Sequence, residues 1–401
     1  MNVDFMRKVD YYAGIPLTFL ITPLVRLSDL FRKKQSTPEN VLFIELSEMG
    51  STILVDPAMQ KLKKLAGTNL FFVIFSKNKP SLKLLNTIEE ENIFTINESG
   101  LVNLAVSTLQ FLIWTRKRKI DTVIDLELFS RFTALLTGLS GARIRVGFYS
   151  FHNEGLYRGE MLTHRVSYNP FIHISRNFVA LVNSALSKSK EIPFSKTLVT
   201  DDEVKLQKVS FQEPELENMR KLVREEFPSY DDARHQIVLI NPNASELLPQ
   251  RRWMPDRYIK LAQKILQYNE NIIVLLTGAP SEKEEAGQMA KQVDSPRCIN
   301  FAGKLTLVEL PILYSISQVM VTNDSGPGHF SSITNMPTLV LFGPETPALY
   351  GSLGNSTPVY AGLACSPCVS AWNHRKTPCT DNVCLQAITV DQVYNETIKH
   401  L

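Results

Sequence analysis

At 401 residues, 44% of them hydrophobic and 21% charged, the chain is long enough for two cores and ordinary in composition for a globular protein. Its 43 basic residues against 40 acidic leave a formal charge of +3, too balanced for the concentrated basic face that tracks a phosphate backbone, so no nucleic-acid partner is expected. No stretch reaches the roughly 20 apolar residues of a membrane-spanning helix, and five cysteines in a chain this size do not form a disulfide scaffold, which points to a reducing compartment.

The first element is an uncharged run, Tyr11 to Val25, preceded by Arg7 and Lys8 and followed by Arg26, Arg32, Lys33 and Lys34. No small-residue cleavage site follows it, unlike a secretory signal, and Pro16 and Pro23 argue against one straight helix. Two readings of residues 1–38 stay open: a hairpin-like segment packed on the domain, or an interfacial anchor whose basic flanks face anionic headgroups.

From residue 39 short apolar runs alternate with helical patterns. VLFIEL (41–46), LFFVIFS (70–76), DTVIDL (121–126) and RIRVGF (143–148) read as strands, separated by helices such as PAMQKLKKLA and LAVSTLQFLIWTRKRK. The alternation restarts with QIVLINP (236–242), NIIVLLTG (271–278), VMVTND (319–324) and PTLVLFG (337–343). Near-continuous apolar strands between helices mean parallel sheets covered on both faces. Two series predict two Rossmann-like domains, 39–190 and 236–401, joined by the polar linker 191–235.

Ligands of open α/β sheets bind beyond the carboxyl ends of the strands. VTNDSGPGHF (321–330) occupies such an end: Asp324 closes a strand, Gly326 and Gly328 would let the backbone approach a ligand, and the helix that follows offers free N–H groups to an anion. An isolated D-S-G would read as a plain N-cap, but two more loops of the same sheet converge on it. NPNASELLPQRRWMPDRY (241–258) brings Asn243, Ser245, Arg251 and Arg252, and paired arginines suit bidentate phosphate contacts, although alone they would read as a solvated turn. The other loop is LFGPETPALYGSLG (341–354).

Cys365, Cys368, Cys379 and Cys384 form C-x2-C and C-x4-C pairs with His374 between them, consistent with a zinc site or with free or disulfide-forming thiols. Cys298 reads as core.

NDSGPGH with PTLVLFGPETP and NPNAS…RRWMPDRY resembles the carboxyl-terminal half of glycosyltransferase family nine, the heptosyltransferases of lipopolysaccharide core synthesis. VLFIELSEMG leading into PAMQKLK, and DTVIDLELFSRFTALLTGLSGARIRVGF, extend the likeness from about Val41 to Tyr394. The resemblance implies a GT-B fold, two Rossmann-like domains with parallel sheets facing across a cleft. It implies an inverting transfer from a nucleoside-diphosphate sugar, typically ADP-heptose, to a lipid-linked glycan acceptor, with no metal or other cofactor. The enzyme would be cytoplasmic, peripheral on the inner-membrane surface. By position Asp324, Ser325, Gly326 and His329 match the donor box, Arg251 the donor-phosphate contact, and Ser245 a hydroxyl residue blurred by the ELLPQ insertion.

The departure is in the first domain, where the family's Gly-Asp reads Gly50-Ser51. A serine does not take a proton at neutral pH unaided, so Glu48 is the preferred general base with Ser51 orienting it or the acceptor; otherwise Glu48 is a solvent-facing loop residue. Two alternatives to an active transferase stay open: a relative that binds a nucleotide sugar or glycolipid without transfer, and another GT-B enzyme such as a nucleotide-sugar epimerase.

Overall fold

A computed structural model describes residues 3–31, 37–65, 67–152, 155–244 and 248–401. The chain divides into two compact units, Met1–Lys205 and Leu206–Leu401.

The first unit holds six parallel strands: β1 Asn40–Ile44, β2 Asn69–Phe75, β3 Ile93–Ile96, β4 Thr122–Asp125, β5 Ile144–Tyr149 and β6 His164–Ser167, in the order β3-β2-β1-β4-β5-β6. The second holds β7 Gln236–Asn241, β8 Ile272–Leu276, β9 Cys298–Asn300, β10 Val319–Asn323, β11 Thr338–Phe342 and β12 Ser356–Tyr360, in the order β12-β11-β10-β7-β8-β9. Read from its first strand, each sheet is wound identically, and the winding reverses between β1 and β4 in one and between β7 and β10 in the other. That doubly wound architecture is the expected α/β class.

The eight strands expected from sequence are all present. The four that sequence reading missed, β3, β6, β9 and β12, are the four edges. Phe43 in β1 and Val238 in β7 are sealed on both faces, as central strands of parallel sheets must be. An edge strand has one neighbour and one open side, so HRVS and STPVY carry polar residues and lack the continuous apolar run that marks a central strand.

In the second unit, helix Pro255–Tyr268 buries Tyr258, Leu261, Ala262 and Ile265 against Val238, Ile240, Ile272 and Val274. Residues 191–235 are partly helical: Met219 and Val223 of helix Glu213–Glu226 are buried in the second unit, beside helix Leu310–Ser315.

The amino-terminal segment forms helices Val3–Tyr12 and Gly14–Leu30, bent by 45° at their junction, with Pro23 inside the second. They pack on helix Arg131–Leu139, Ile21 and Val25 meeting Ala134, Leu135 and Met161. Gly14 is required there, because a Cβ would lie 2.7 Å from that of Arg131. Asp10 Oδ1 accepts from the backbone N–H of Arg131 (3.0 Å) and Phe132 (2.8 Å), capping that helix from outside, while its Oδ2 pairs with the buried Arg131 guanidinium at 3.3 Å. Arg145, also buried, donates to both oxygens of Asp29 at 3.0 and 2.6 Å. The segment is thus built into the unit, as a bent helix pair and not a hairpin. Among the described residues no single helix is long and apolar enough to cross a membrane; only the bent pair together has that length and composition.

Candidate functional site

In the second unit the winding reverses between β7 and β10, and the loops after those strands are tied together by one buried side chain. Asn323, the last residue of β10, accepts from Trp253 N–H and from Tyr258 O–H, both at 2.9 Å, and its amide donates to Pro242 C=O at 2.7 Å. The loop after β7 therefore returns across the end of β10 and places Arg251 over Asp324. Arg251 donates to Asp324 C=O at 3.3 Å, and its Nε lies 3.9 Å from Asp324 Oδ2. Arg252 instead clamps its own loop, donating twice to Ala244 C=O at 3.0 and 2.8 Å.

The loop after β11 adds Glu345, 2% exposed, whose Oε1 accepts no hydrogen bond and lies 3.7 Å from Arg375 Nε. Arg375 also donates to Tyr350 O–H at 2.8 Å. Burial pushes the Glu345 carboxyl up to about 8, the charge of Asp324 adding to the effect and Arg251 opposing it. Asp324 is likewise raised by burial against the pull of Arg251. Two buried carboxyl groups and two half-buried guanidiniums thus meet at the strand ends. Asn243 on the neighbouring loop is buried, its Nδ2 without a hydrogen-bond partner among the described residues.

Asp324, Ser325, Gly326, His329 and Arg251 are brought together; Ser245 lies outside the described residues. Ser325 caps nothing with its side chain, its Oγ donating to Asn323 C=O at 3.1 Å. A Cβ on Gly326 would meet the Phe330 ring at 3.0 Å, and one on Gly328 would meet Val340 and Ser352 at 3.3 Å, so packing alone favours glycine at both. His329 is buried within helix Gly326–Ser331. Sequence reading missed Glu345 and Arg375 as site residues; a Glu directly after the strand-ending Gly343-Pro344 was the available signal for the first.

The segment carrying the cysteines lies against these loops, Cys368 N–H donating to Pro344 C=O at 3.0 Å and Gln250 to Cys379 C=O at 3.2 Å. All five thiols are free, and among the described residues no three His, Cys, Asp or Glu side chains are placed to hold a metal ion. Burial pushes the Cys384 thiol up, with Cys368 and Cys379 contributing. Cys298 is buried in the core of the unit.

In the first unit the reversal falls between β1 and β4. Glu127 closes the loop after β4 onto that after β1, its Oε1 accepting from Leu46 N–H (3.0 Å), Ser47 N–H (3.2 Å) and Ser47 O–H (2.8 Å). Glu48 precedes helix Met49–Leu54 and is half-buried, and Ser51 Oγ donates to its Oε2 at 3.4 Å. Asp125, at the end of β4, is sealed in a 3.2 Å pair with Arg158, and burial lifts its carboxyl to about 7 with Arg158 opposing. Sequence reading also missed Asp56, five residues beyond Ser51. It is 1% exposed, bonded to Thr87 O–H, its Oδ2 without a hydrogen-bond partner beside a small cavity lined by Thr52, Ser81 and Thr87. Burial raises it to about 6.

Chemically, the second unit offers a half-buried guanidinium beside buried carboxyl groups whose oxygens can accept hydrogen bonds from hydroxyls, and the first a half-buried carboxylate held by a serine.

The family model described as glycosyltransferase family 9 (heptosyltransferase) matches residues 115–377. Lipopolysaccharide heptosyltransferase 2 of Salmonella typhimurium is 31% identical over 106 residues, 26% of this chain and 30% of that protein. Lipooligosaccharide heptosyltransferase 2 of Campylobacter jejuni is 27% identical over 169 residues, 41% of this chain and 51% of that protein. The chain thus spans about a third to a half of the length of the curated relatives it matches. Among solved structures, E. coli ADP-heptose lps heptosyltransferase II is similar with a TM-score of 0.66 at 19% identity, over 90% of this chain and 98% of that one. A family 9 glycosyl transferase from Veillonella parvula is similar at 0.68 and 16% identity, over 91% and 98%. These two likenesses establish the GT-B fold.

Proposed function

The chain belongs to glycosyltransferase family 9, and from that premise we propose that it is an inverting glycosyltransferase moving a heptose from ADP-heptose to a lipopolysaccharide-type glycolipid. The observation that carries this reading is the Arg251–Asp324–Glu345 cluster where the β7 and β10 loops meet. A half-buried guanidinium there can offset a diphosphate, while the neighbouring carboxyl oxygens accept from sugar hydroxyls. The names of the relatives, which act in lipopolysaccharide and lipooligosaccharide synthesis, supply the sugar and the acceptor class.

In the proposed reaction an acceptor hydroxyl attacks the anomeric carbon from the face opposite the diphosphate. The new C–O bond forms as the bond to the diphosphate breaks, the leaving group taking the electron pair and Arg251 countering its growing charge. The hydroxyl proton passes to Glu48, which Ser51 orients through the 3.4 Å contact. No metal or other cofactor is assigned a part. Residues 1–35 would hold the enzyme on the cytoplasmic face of the inner membrane, near its lipid-linked acceptor, with the exposed Phe19, Leu20 and Leu24 toward lipid.

Ser51 in place of the family's aspartate favours one second reading, a protein that binds the donor without transfer. Incubation with ADP-heptose and a heptose-deficient lipopolysaccharide separates the two: ADP release with a one-heptose gain in acceptor mass is expected. Saturable donor binding with neither product would establish the second reading instead.

A further inference from the structure

Helix Leu101–Lys117 turns Phe111 inward onto the first sheet, among Phe71, Phe94 and Trp114. Its outer side is apolar as well. Val102, Val106, Leu109 and Ile113 are 76%, 48%, 63% and 57% exposed, and their spacing of i, i+4, i+7 and i+11 sets them in one row along the helix. A row of four aliphatic side chains facing water on one helix is more than scattered surface residues account for.

The row runs into cations. Arg116, Lys117, Arg118 and Lys119 follow it, and no acidic residue occurs between Ser99 and Ile120. Arg116 is held at the helix end by the carbonyls of Leu139 and Ser140, and Arg118 donates to Glu91 C=O, so these charges have fixed places beside the row.

The amino-terminal helices lie on the same side of this sheet. Helix Arg131–Leu139 touches both Leu101–Lys117 and the pair Val3–Tyr12 and Gly14–Leu30, and Met6 joins the cluster that holds Leu104 and Leu112. One side of the unit therefore carries two sets of outward apolar side chains, and basic residues follow the Val102–Ile113 row.

We propose that the Val102–Ile113 row is a second lipid-contacting surface, which with the amino-terminal helices seats this unit on an anionic bilayer. The proposal rests on the membrane localisation given above and extends it to a separate element. The aliphatic row would enter the boundary between headgroups and acyl chains, while Lys117 and Lys119 reach back to lipid phosphates. Charge complementarity selects this occupant: a second copy of the helix would bring cations and aliphatic side chains but no carboxylate to meet the cluster. Contact at two elements fixes the orientation of the unit on the surface, where one helix alone would let it swing.

The test uses the full chain and phosphatidylcholine vesicles with and without phosphatidylglycerol, read by co-sedimentation. Leu109→Gln with Ile113→Gln should weaken binding to the anionic vesicles about tenfold or more with an unchanged melting curve, since both side chains already face water. Leu20→Gln with Leu24→Gln should weaken it comparably, and Lys117→Gln with Lys119→Gln should remove much of the preference for anionic lipid. If the first variant sediments like the unaltered chain while the Leu20/Leu24 variant is lost, the row makes no lipid contact and only the localisation reading stands. If the unaltered chain ignores anionic vesicles, both fail. A dimer in sedimentation equilibrium that dissociates in the Leu109/Ile113 variant would show a second copy covering the row, and would also overturn the proposal.

Discussion

The ends of β7 and β10 and the ends of β1 and β4 occupy equivalent places in two sheets of the same winding, yet they carry charge in opposite ways. In the second unit buried Asp324 and Glu345 face half-buried Arg251 and Arg375 at 3.9 and 3.7 Å, and among the described residues Arg251 Nε and Glu345 Oε1 have no hydrogen-bond partner. In the first the buried Asp125 is closed onto Arg158 at 3.2 Å, while Glu48 is half-buried. Ion pairs this long leave hydrogen-bonding capacity for a polar ligand. The Asp125–Arg158 pair is fully buried and tied to Glu127 N–H, Thr133 O–H and Phe148 C=O, which suits a structural part. Under the proposed function the second site would serve recognition and the first proton transfer.

The largest effect that would sharpen this contrast is at Glu48. Glu48→Gln should lower turnover by about 10²–10⁴-fold with affinity for ADP nearly unchanged, measured by steady-state kinetics beside calorimetry. Near-normal turnover would break the assignment and direct attention to Asp56, the buried carboxylate five residues beyond Ser51.

Arg251→Ala comes next. It should weaken ADP binding by about 1–3 kcal/mol, the loss expected for a charge-assisted contact. Unchanged affinity in calorimetry would remove Arg251 from the site.

Glu345 sets a pH dependence. Its carboxyl is raised from the ordinary 4.5 to about 8, so between those values the folded chain keeps a proton that the unfolded chain has lost. Its contribution to stability is full below about 4.5, declines as pH rises, and is gone above about 8. Glu345→Gln, neutral throughout, should flatten the fall in Tm across that window, and an equally steep fall in the variant would contradict the assignment. The smallest effect is expected from Ser51→Ala, which removes only a 3.4 Å contact to Glu48 and should cost less than about tenfold in turnover. A gain of activity in Ser51→Asp would instead indicate a chain that has lost its base.

What sequence reveals here follows the same physics. The central strands announce themselves because burial on both faces demands apolar residues at every position, as in β8, IIVLL. The edge strand β12 carries Ser356, Thr357 and Pro358 and announces nothing. Arg251 and Asp324 are legible together because each follows a strand of one sheet, and the winding rule brings such loops to one place. Glu345 and Arg375 are not, since their pairing depends on how the segment after β12 returns over Pro344. Asp56 reads as the start of a helix, and only the fold reveals that Thr87, 31 residues on, has closed over it.

The cap that Asp10 provides for helix Arg131–Leu139 has a consequence in time. Donor and acceptor are separated by 121 residues, and at synthesis rates of about 5–20 residues per second this interval lasts roughly 6–24 s. Through it Ile21 and Val25 have no Ala134 or Met161 to cover them, and Asp29 has no Arg145. The nascent chain thus presents an uncovered apolar segment before the rest of its unit exists, and whatever surface is nearest the ribosome in those seconds meets it first.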